Sequence, residues 1–361
     1  MISSDEFAAY NRAVARIGDK AASDVEESIM GWCREHESAT VAEKREAAKL
    51  IMDGYIQGYD DIAAEFAAEW YDHRAEKSGI KLDQAITMTT YSPESVDDVA
   101  RYQAKKLLDG DDAAFAKACG EYARNDLFRS LNETIIANVG RDKDKGARFA
   151  RIPTGFETCT FCMMLASRNA VYHTRKTAGE FKHFHRHCDC KVVPSFDPDP
   201  DAEVVEGVKP KELREQYKQF REIDAEDDLT KGQRNVAKMK IMRGVTSRDA
   251  VAFARDHVLK SSQVLFTDKQ VGKKLGKHAG DWGLDPSLER DRCKLLSIIR
   301  RIIDEASLVS FGEWRDRVGP CSFYQNGVDV VVVDAEGYFV TVMKGGGDNK
   351  RYRNAVRRSW N

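Results

Sequence analysis

The sequence predicts a mainly α-helical N-terminal domain with a small α/β substructure stapled by cysteine and histidine, then a C-terminal α+β domain with a helix packed on an antiparallel sheet. Apolar residues recur at spacings of three and four through residues 1–140, which is typical of amphipathic helices. Four cysteines and four histidines fall within residues 159–190. A helical pattern at 295–303 precedes a strand, turn, strand pattern at 328–343, which favours a helix on a sheet.

The composition is that of a globular protein. The chain has 361 residues, of which 42% are apolar and 32% are charged, and this balance excludes disordered and fibrous classes. At about 100–200 residues per domain, the length allows two or three domains. No apolar run of about 18 residues is present and the N-terminus is polar, so we expect neither a membrane span nor a secretory signal. We therefore expect the protein to be made in a reducing cytosol and to have no membrane partner.

The net charge of −2 conceals an asymmetry along the chain. Residues 271–361 carry 16 basic and 12 acidic side chains, whereas residues 1–270 carry 41 basic and 47 acidic ones. The last segment is thus net +4 and the rest net −6. An acidic first part joined to a basic tail indicates two different tasks.

The first 140 residues contain clear helix signals. Thr40 to Glu43 has the form of a capping box, and Ser92 precedes a proline that suits the first position of a helix. The segment 115–139 is a further long helix, which we expect Gly140 to end.

Changes of composition suggest the domain boundaries. Residues 149–153 read as a short strand that enters the cysteine-rich segment, and the prolines and acids of 197–201 forbid regular structure. The residues that follow are charged and helix-forming, as in a solvated connector. These features predict an N-terminal domain at 1–200, a charged helical linker at 201–264 and a C-terminal domain at 265–361.

The cysteine and histidine cluster predicts a structural zinc site. Cys159 and Cys162 form one ligand pair, and His185 and Cys188 form a second pair about two dozen residues later. Zinc prefers about four such ligands in a tetrahedron, and a closed set of four stabilises a substructure with little core of its own. Cys190 or His187 would replace the weakest ligand. Alternatively, these thiols are packed or free, or pair in disulfides after release from the cell.

The same residues carry a family resemblance. Residues 158–168, which include Leu165-Ala-Ser-Arg168, then Tyr172 and the segment His185 to Pro194 resemble the signature of MuF-like phage minor capsid proteins, which act in head morphogenesis. The resemblance implies a low-copy virion protein of a phage or prophage head, made in the bacterial cytoplasm. Its implied partners are the portal and the major capsid protein.

The basic C-terminal part contains groups suited to a phosphodiester. His278, beside Lys277, can exchange a proton near neutral pH, Thr341 can donate a hydrogen bond, and Lys344 can neutralise a phosphate. Asp281 and Asp285 flank the histidine and are candidates to orient it, although Asp285 precedes a proline and is better placed to cap a helix. The candidate RNA-binding cations are Lys277, Arg301, Lys350, Arg351 and Arg353.

These residues resemble the phage-borne nuclease toxins of the barnase, EndoU, colicin and RelE type, a class of polymorphic toxins. The matching positions are Lys277, His278 and Trp282 early, and 337–341 late. The resemblance implies RNA cleavage without a metal cofactor, in which the 2′-hydroxyl attacks its own phosphate to leave a 2′,3′-cyclic end. His278 would be general base or acid, Thr341 a donor to the phosphoryl oxygens, and Lys344 the charge stabiliser. RNA, with tRNA as one candidate, and an immunity protein are the implied partners.

Two other interpretations remain open from the sequence. The chain could be a purely structural minor capsid protein whose basic C-terminal domain contacts nucleic acid or the portal without catalysis. It could also be a decayed prophage toxin that retains only the fold. Cleavage of RNA by the C-terminal part, sensitive to loss of His278, would distinguish the enzyme from both.

Overall fold

The chain folds into two compact units, Met1–Arg214 and Glu215–Asn361. The computed structural model describes residues 1–108, 110–154, 158–178, 190–267, 275–315 and 317–358. The first unit is mainly helical and the second combines helices with a four-stranded antiparallel sheet, which confirms the predicted fold class. Within the described ranges, we find no helix with enough length and apolarity to cross a bilayer.

In the first unit the helices are α1 Ser4–Glu35, α2 Val41–Lys77, α3 Pro93–Gln103, α4 Lys105–Leu108, α5 Asp112–Arg141 and α6 Thr160–Ser167. Strands β1 Arg148–Ile152 and β2 Lys191–Ser195 form an antiparallel pair. The second unit contains most of α7 Pro210–Asp224, then α8 Lys231–Met242, α9 Ser247–His257, α10 Glu289–Asp304 and α11 Lys350–Arg358. Its strands are β3 Leu308–Gly312, β4 Cys321–Asn326, β5 Asp329–Val333 and β6 Phe339–Met343.

The helix starts of the first unit follow their capping residues. Thr40 and Glu43 exchange both hydrogen bonds of a capping box at the start of α2, and the Ser92 hydroxyl accepts from the Ser95 N–H at the start of α3. The long helix predicted at 115–139 is α5. It runs through Gly140 to Arg141, so the expected end was placed two residues early.

Helices α1, α2 and α5 pack against one another around the core of the first unit. The crossing of α1 and α5 is close at Gly120, where an added Cβ would lie 2.5 Å from the Ala22 carbonyl oxygen. Only glycine allows the two backbones to approach this far.

An extended segment, residues 80–91, is fastened along α5 by side chains one helical turn apart. Asn138 binds both the N–H and the carbonyl of Ile86, and Thr134 does the same for Met88. The Thr90 N–H donates to the Ser130 hydroxyl. The segment has no strand partner, so these side chains supply the hydrogen bonds that its backbone needs.

Two carboxyl groups are buried under this segment. Asp60 of α2 accepts a hydrogen bond from Ser130 at 2.6 Å, and Asp126 of α5 accepts one from Arg129 at 3.0 Å. Burial raises the pKa of Asp60 to about 6. Burial, followed by the charge of Asp60, raises the pKa of Asp126 to about 7.

The sheet of the second unit has the strand order β3-β4-β5-β6 and carries helices on both faces. On one face, Tyr352 of α11 packs against Phe323 with ring centroids 5.5 Å apart. On the other face, Phe253 of α9 meets Phe311 of β3 edge to face. Helix α8 also lies on β3. Residues 215–264, which the sequence assigned to a linker, therefore fold together with the sheet.

The predicted strand, turn, strand pattern at 328–343 is confirmed as the β5–β6 hairpin. The pairing is Val332 with Thr341 and then Val333 with Phe339, so Val340 is an extra residue that forms a β-bulge. Bulges bend a strand and redirect the neighbouring side chains, and they are frequent beside functional sites.

Candidate functional site

The structure brings His278 and Thr341 together across 63 residues of sequence. The Thr341 hydroxyl lies 3.2 Å from His278 Nε2, and the other ring nitrogen, Nδ1, lies 3.0 Å from a carboxylate oxygen of Asp281. This chain of hydroxyl, imidazole and carboxylate is the arrangement in which a histidine is oriented for proton transfer.

Two local features build this arrangement. His278 ends a helical turn at Gly276–His278 that continues as a 3-10 turn at Ala279–Trp282, and a spacing of three residues puts Asp281 on the same side as the histidine. Thr341 lies in the middle of β6, next to the bulge at Val340. Its side chain is 7% exposed, while that of His278 is 16% exposed.

The hydrogen bonds determine which ring nitrogen of His278 donates and which one accepts. A carboxylate only accepts, so the proton on Nδ1 of His278 is held by Asp281, and Nε2 of the neutral ring is left with its lone pair. The Thr341 hydroxyl then donates to Nε2. When the ring is protonated, Nε2 donates instead and the Thr341 hydrogen is available to another acceptor.

The predicted cations are exposed, and they occupy different elements. Lys277 precedes the histidine, and Lys344 follows the end of β6, where no hydrogen bond or ion pair with another described residue holds its ammonium. Arg301 lies on α10, which contacts β4 and β5.

The other three predicted cations lie on α11. Arg353 is held in an ion pair with Asp348. Lys350 and Arg351 have no such partner among the described residues, and both line a surface cleft.

One expectation about the carboxylates is wrong. Asp285 does not cap α10, because that helix begins at Glu289 after Leu288 and has no side-chain cap. The Asp285 carboxylate instead accepts from the N–H and the hydroxyl of Ser287, which lowers its pKa. Of the two acids that flank His278, only Asp281 contacts the ring.

The cysteine cluster of the first unit is partly described. Cys162 and Cys190 are buried, with their sulfur atoms 3.4 Å apart. The Arg151 guanidinium donates to Cys190 Sγ at 2.6 Å, and Cys159 Sγ accepts from the Cys162 N–H at 3.3 Å. His185, His187 and Cys188 lie outside the described residues.

The distance between the sulfurs of Cys162 and Cys190 suits two ligands of one zinc ion. Tetrahedral zinc with Zn–S bonds of about 2.3 Å separates its sulfurs by roughly 3.8 Å, close to the observed pair. A guanidinium and a helix N-terminus both favour the thiolate form that binds zinc. Among the described residues, no three side chains of His, Cys, Asp or Glu come together at one point, so this part supplies two thiols and not a complete set.

Comparison with known proteins identifies the family of the first unit. The family model described as VG15 protein matches residues 1–220, which is more than half of the chain. The chain belongs to the VG15 protein family. The family indicates a phage or viral protein. No curated protein and no solved structure matches the chain.

The VG15 match covers one unit and leaves the other unmatched. It includes all of Met1–Arg214 and the first part of α7. The cysteine cluster and the buried carboxyl pair therefore lie within the VG15 region. The site at His278 and Thr341 lies outside the matched residues, so the family match says nothing about the function of that site.

Sequence reasoning missed two residues beside this site. Trp314 is buried, with 2% of its surface exposed, and it lines the same cleft as Lys350 and Arg351. Arg315 has a φ of 51°, which is rare for a residue other than glycine. A Trp-Arg pair between two strands has no distinctive sequence signal, and only the fold brings it close to α11.

Proposed function

We propose that the chain is a phage minor head protein, associated with capsid and portal, whose second unit is a metal-independent endoribonuclease. The observation that supports the enzyme is the contact of Thr341 and Asp281 with the two ring nitrogens of His278. Residues so distant in sequence do not adopt this arrangement from local structure alone. The exposed cations of the same unit suit a polyanionic substrate.

The proposed chemistry uses the chain's own side chains. Asp281 holds the Nδ1 proton, and His278 Nε2 accepts the proton of the RNA 2′-hydroxyl as its oxygen bonds to phosphorus. The bond from phosphorus to the 5′-oxygen breaks, and that oxygen takes a proton from solvent. Thr341 then donates to a phosphoryl oxygen, because protonated His278 no longer accepts its hydrogen. Lys344, an exposed cation three residues beyond Thr341, is proposed to offset the negative charge.

The test is cleavage of RNA by the full chain in the presence of EDTA. We expect His278→Ala to lower the rate by about 10²–10⁴-fold, the usual contribution of an acid–base group. His257→Ala is the matched control, because this exposed histidine lies on α9 against Phe253. No cleavage of tRNA, ribosomal RNA or messenger RNA by a folded wild-type chain would reject the enzyme.

The alternative is a structural tail that binds nucleic acid without cutting it. Lys350 and Arg351, which pair with no carboxylate in the described ranges, favour binding, and binding alone needs no oriented histidine. This function predicts that His278→Ala and wild type bind RNA equally and that neither cleaves it.

The role in the head rests on the VG15 match together with the resemblance to MuF-like proteins. It predicts that the chain is present in purified phage particles at low copy and cross-links to the portal or major capsid protein. Absence from particles whose portal is detected by mass spectrometry would reject it.

We propose a structural zinc ion held by Cys159, Cys162, His185 and Cys188, with Cys190 or His187 in place of the weakest of them. The contact between the Cys162 and Cys190 sulfurs supports a set in which Cys190 is a ligand. We expect about one zinc per chain by elemental analysis and loss of it in Cys162→Ser. Cys33→Ser is the control, because that buried thiol lies in a separate core. A zinc content below about 0.2 per chain would reject the site.

A further inference from the structure

A cleft of about 1000 Å³ opens in the second unit between the loop after β3 and the first half of α11. We call it the loop–α11 cleft. Trp314 and Arg315 line it from the loop, Lys350 and Arg351 from the helix, and Met343 from the end of β6. The proposed chemistry at His278 does not use it.

A buried aromatic residue forms one wall of the cleft. Trp314 lines the cleft and packs edge to face on Phe323 with centroids 5.6 Å apart. Its indole Nε1 is buried without a hydrogen-bond partner among the described residues, which is unfavourable for a donor. The ring is thus fixed by packing and offers the cleft a rigid aromatic surface.

The cleft also carries cations that no described carboxylate pairs with. These are Arg315, Lys350 and Arg351, and Glu313 is the acid among the residues that line the cleft. Arg353, on the same helix, is by contrast held in an ion pair with Asp348. The cleft therefore has a net charge of +2, which favours an anion.

Backbone strain at Arg315 points to the same site. Its φ of 51° is unfavourable for a residue with a Cβ. The guanidinium lies 5.5 Å from the centre of the Trp314 ring. Strain of this kind is concentrated at ligand-binding positions, where it fixes a side chain in place.

The cleft is next to the candidate catalytic pair. Met343 and Thr341 are two residues apart on β6 and point to the same face of the sheet, a separation of roughly 7 Å. We propose that the loop–α11 cleft binds a phosphate of single-stranded RNA next to the phosphate at His278 and Thr341, with Arg315 and Arg351 as its ligands and the Trp314 ring supporting the Arg315 guanidinium. This inference rests on the proposed function for the choice of RNA.

The test measures binding, so that it is independent of cleavage. The probe is a fluorescein-labelled single-stranded RNA of mixed sequence, titrated with the full chain carrying His278→Ala over a range of salt. We expect Arg315→Ala with Arg351→Ala to weaken binding about tenfold and to flatten the slope of log K against log salt by about 0.7, the value for one phosphate contact. Trp314→Phe, which leaves a smaller ring beside Arg315, should weaken binding several-fold.

The matched control is Arg248→Ala with Arg255→Ala, which removes the same charge from α9. These arginines are exposed and lie on a helix that packs on the opposite face of the sheet. Equal loss of affinity in both double variants, or an unchanged salt slope in the cleft variant, would overturn the proposal. So would displacement of the RNA by poly-glutamate at equal charge concentration, since this would indicate an acidic protein as the ligand. If wild type cleaves no RNA but the cleft variant still loses binding, the nuclease fails and the subsite stands.

Discussion

The candidate active site shows which residue roles a sequence can predict. His278 and Thr341 were predicted from their chemistry and from a motif resemblance, and the fold puts them in contact. The choice between Asp281 and Asp285 depends on how a helical turn ends, because a shift of one residue rotates a side chain by about 100°. Trp314 and Arg315 could not be predicted, because they approach α11 only in the folded sheet.

Asp281 is expected to act on the rate through His278. Asp281→Asn should reduce RNA cleavage by about 10–100-fold, since the amide can bind the ring but does not stabilise its protonated form.

Asp285→Asn is the control for that measurement, because its carboxylate contacts Ser287 and not the histidine. Equal activity of Asp281→Asn and wild type would show that the carboxylate does not orient the catalytic ring.

The buried Asp60 and Asp126 make the stability of the first unit depend on pH. Their folded-state pKa values, about 6 and about 7, lie above the value of about 3.9 in an unfolded chain. The folded state therefore binds more protons between these values, and the stabilisation is complete below about pH 4 and is lost as the pH rises through 6 and 7. Asp126→Asn should raise the free energy of unfolding at pH 8 by roughly 1–3 kcal/mol and flatten its pH dependence.

Urea unfolding followed by far-UV circular dichroism at pH 5 and pH 8 measures this effect. Asp61→Asn is the control, because this neighbouring acid is exposed. The raised pKa values would be contradicted if the stability of wild type, measured relative to that of Asp126→Asn, increased from pH 5 to pH 8.

At the scale of elements, helices and hairpins were easier to predict than the contacts that join them to the rest of their unit. Capping residues and a run of consecutive valines are local signals, so α2, α3 and the β5–β6 hairpin were predicted. The extended segment 80–91 was not, because its partners on α5 are polar residues spaced along a helix that otherwise looks like core. The linker prediction also rested on charge alone, whereas the buried face of α8 packs on β3.

Gly120 tests the close packing of α1 and α5. Gly120→Ala should destabilise the first unit by about 1–3 kcal/mol, because its Cβ would meet the Ala22 carbonyl oxygen at 2.5 Å and one helix must move. Gly58→Ala in α2 is the control, since no atom lies within 4 Å of its added Cβ. That change should stabilise the helix by up to about 1 kcal/mol. Thermal unfolding of both variants is the measurement, and equal shifts would mean that the helices are not in close contact.

At the scale of the whole molecule, the division into two units sharpens the charge asymmetry. Residues 1–214 carry 30 basic and 38 acidic side chains, and residues 215–361 carry 27 and 21. The net charges are thus −8 and +6, larger than the values found by dividing the sequence at residue 270. The acidic unit coincides with the VG15 match, and the basic unit contains the candidate nuclease site. This separation is consistent with a protein-binding unit and an RNA-binding unit in one chain.

The most direct measurement of the central claim compares two oligonucleotides of one sequence, unmodified RNA and its fully 2′-O-methylated form, incubated with the full chain in EDTA. The proposed mechanism needs a free 2′-hydroxyl as nucleophile and His278 as its base. We predict that the RNA is cut to products with 2′,3′-cyclic phosphate ends, that His278→Ala leaves it intact on the same time scale, and that the methylated strand is not cut. Cleavage of the methylated strand, or cleavage that His278→Ala does not slow, would contradict the mechanism.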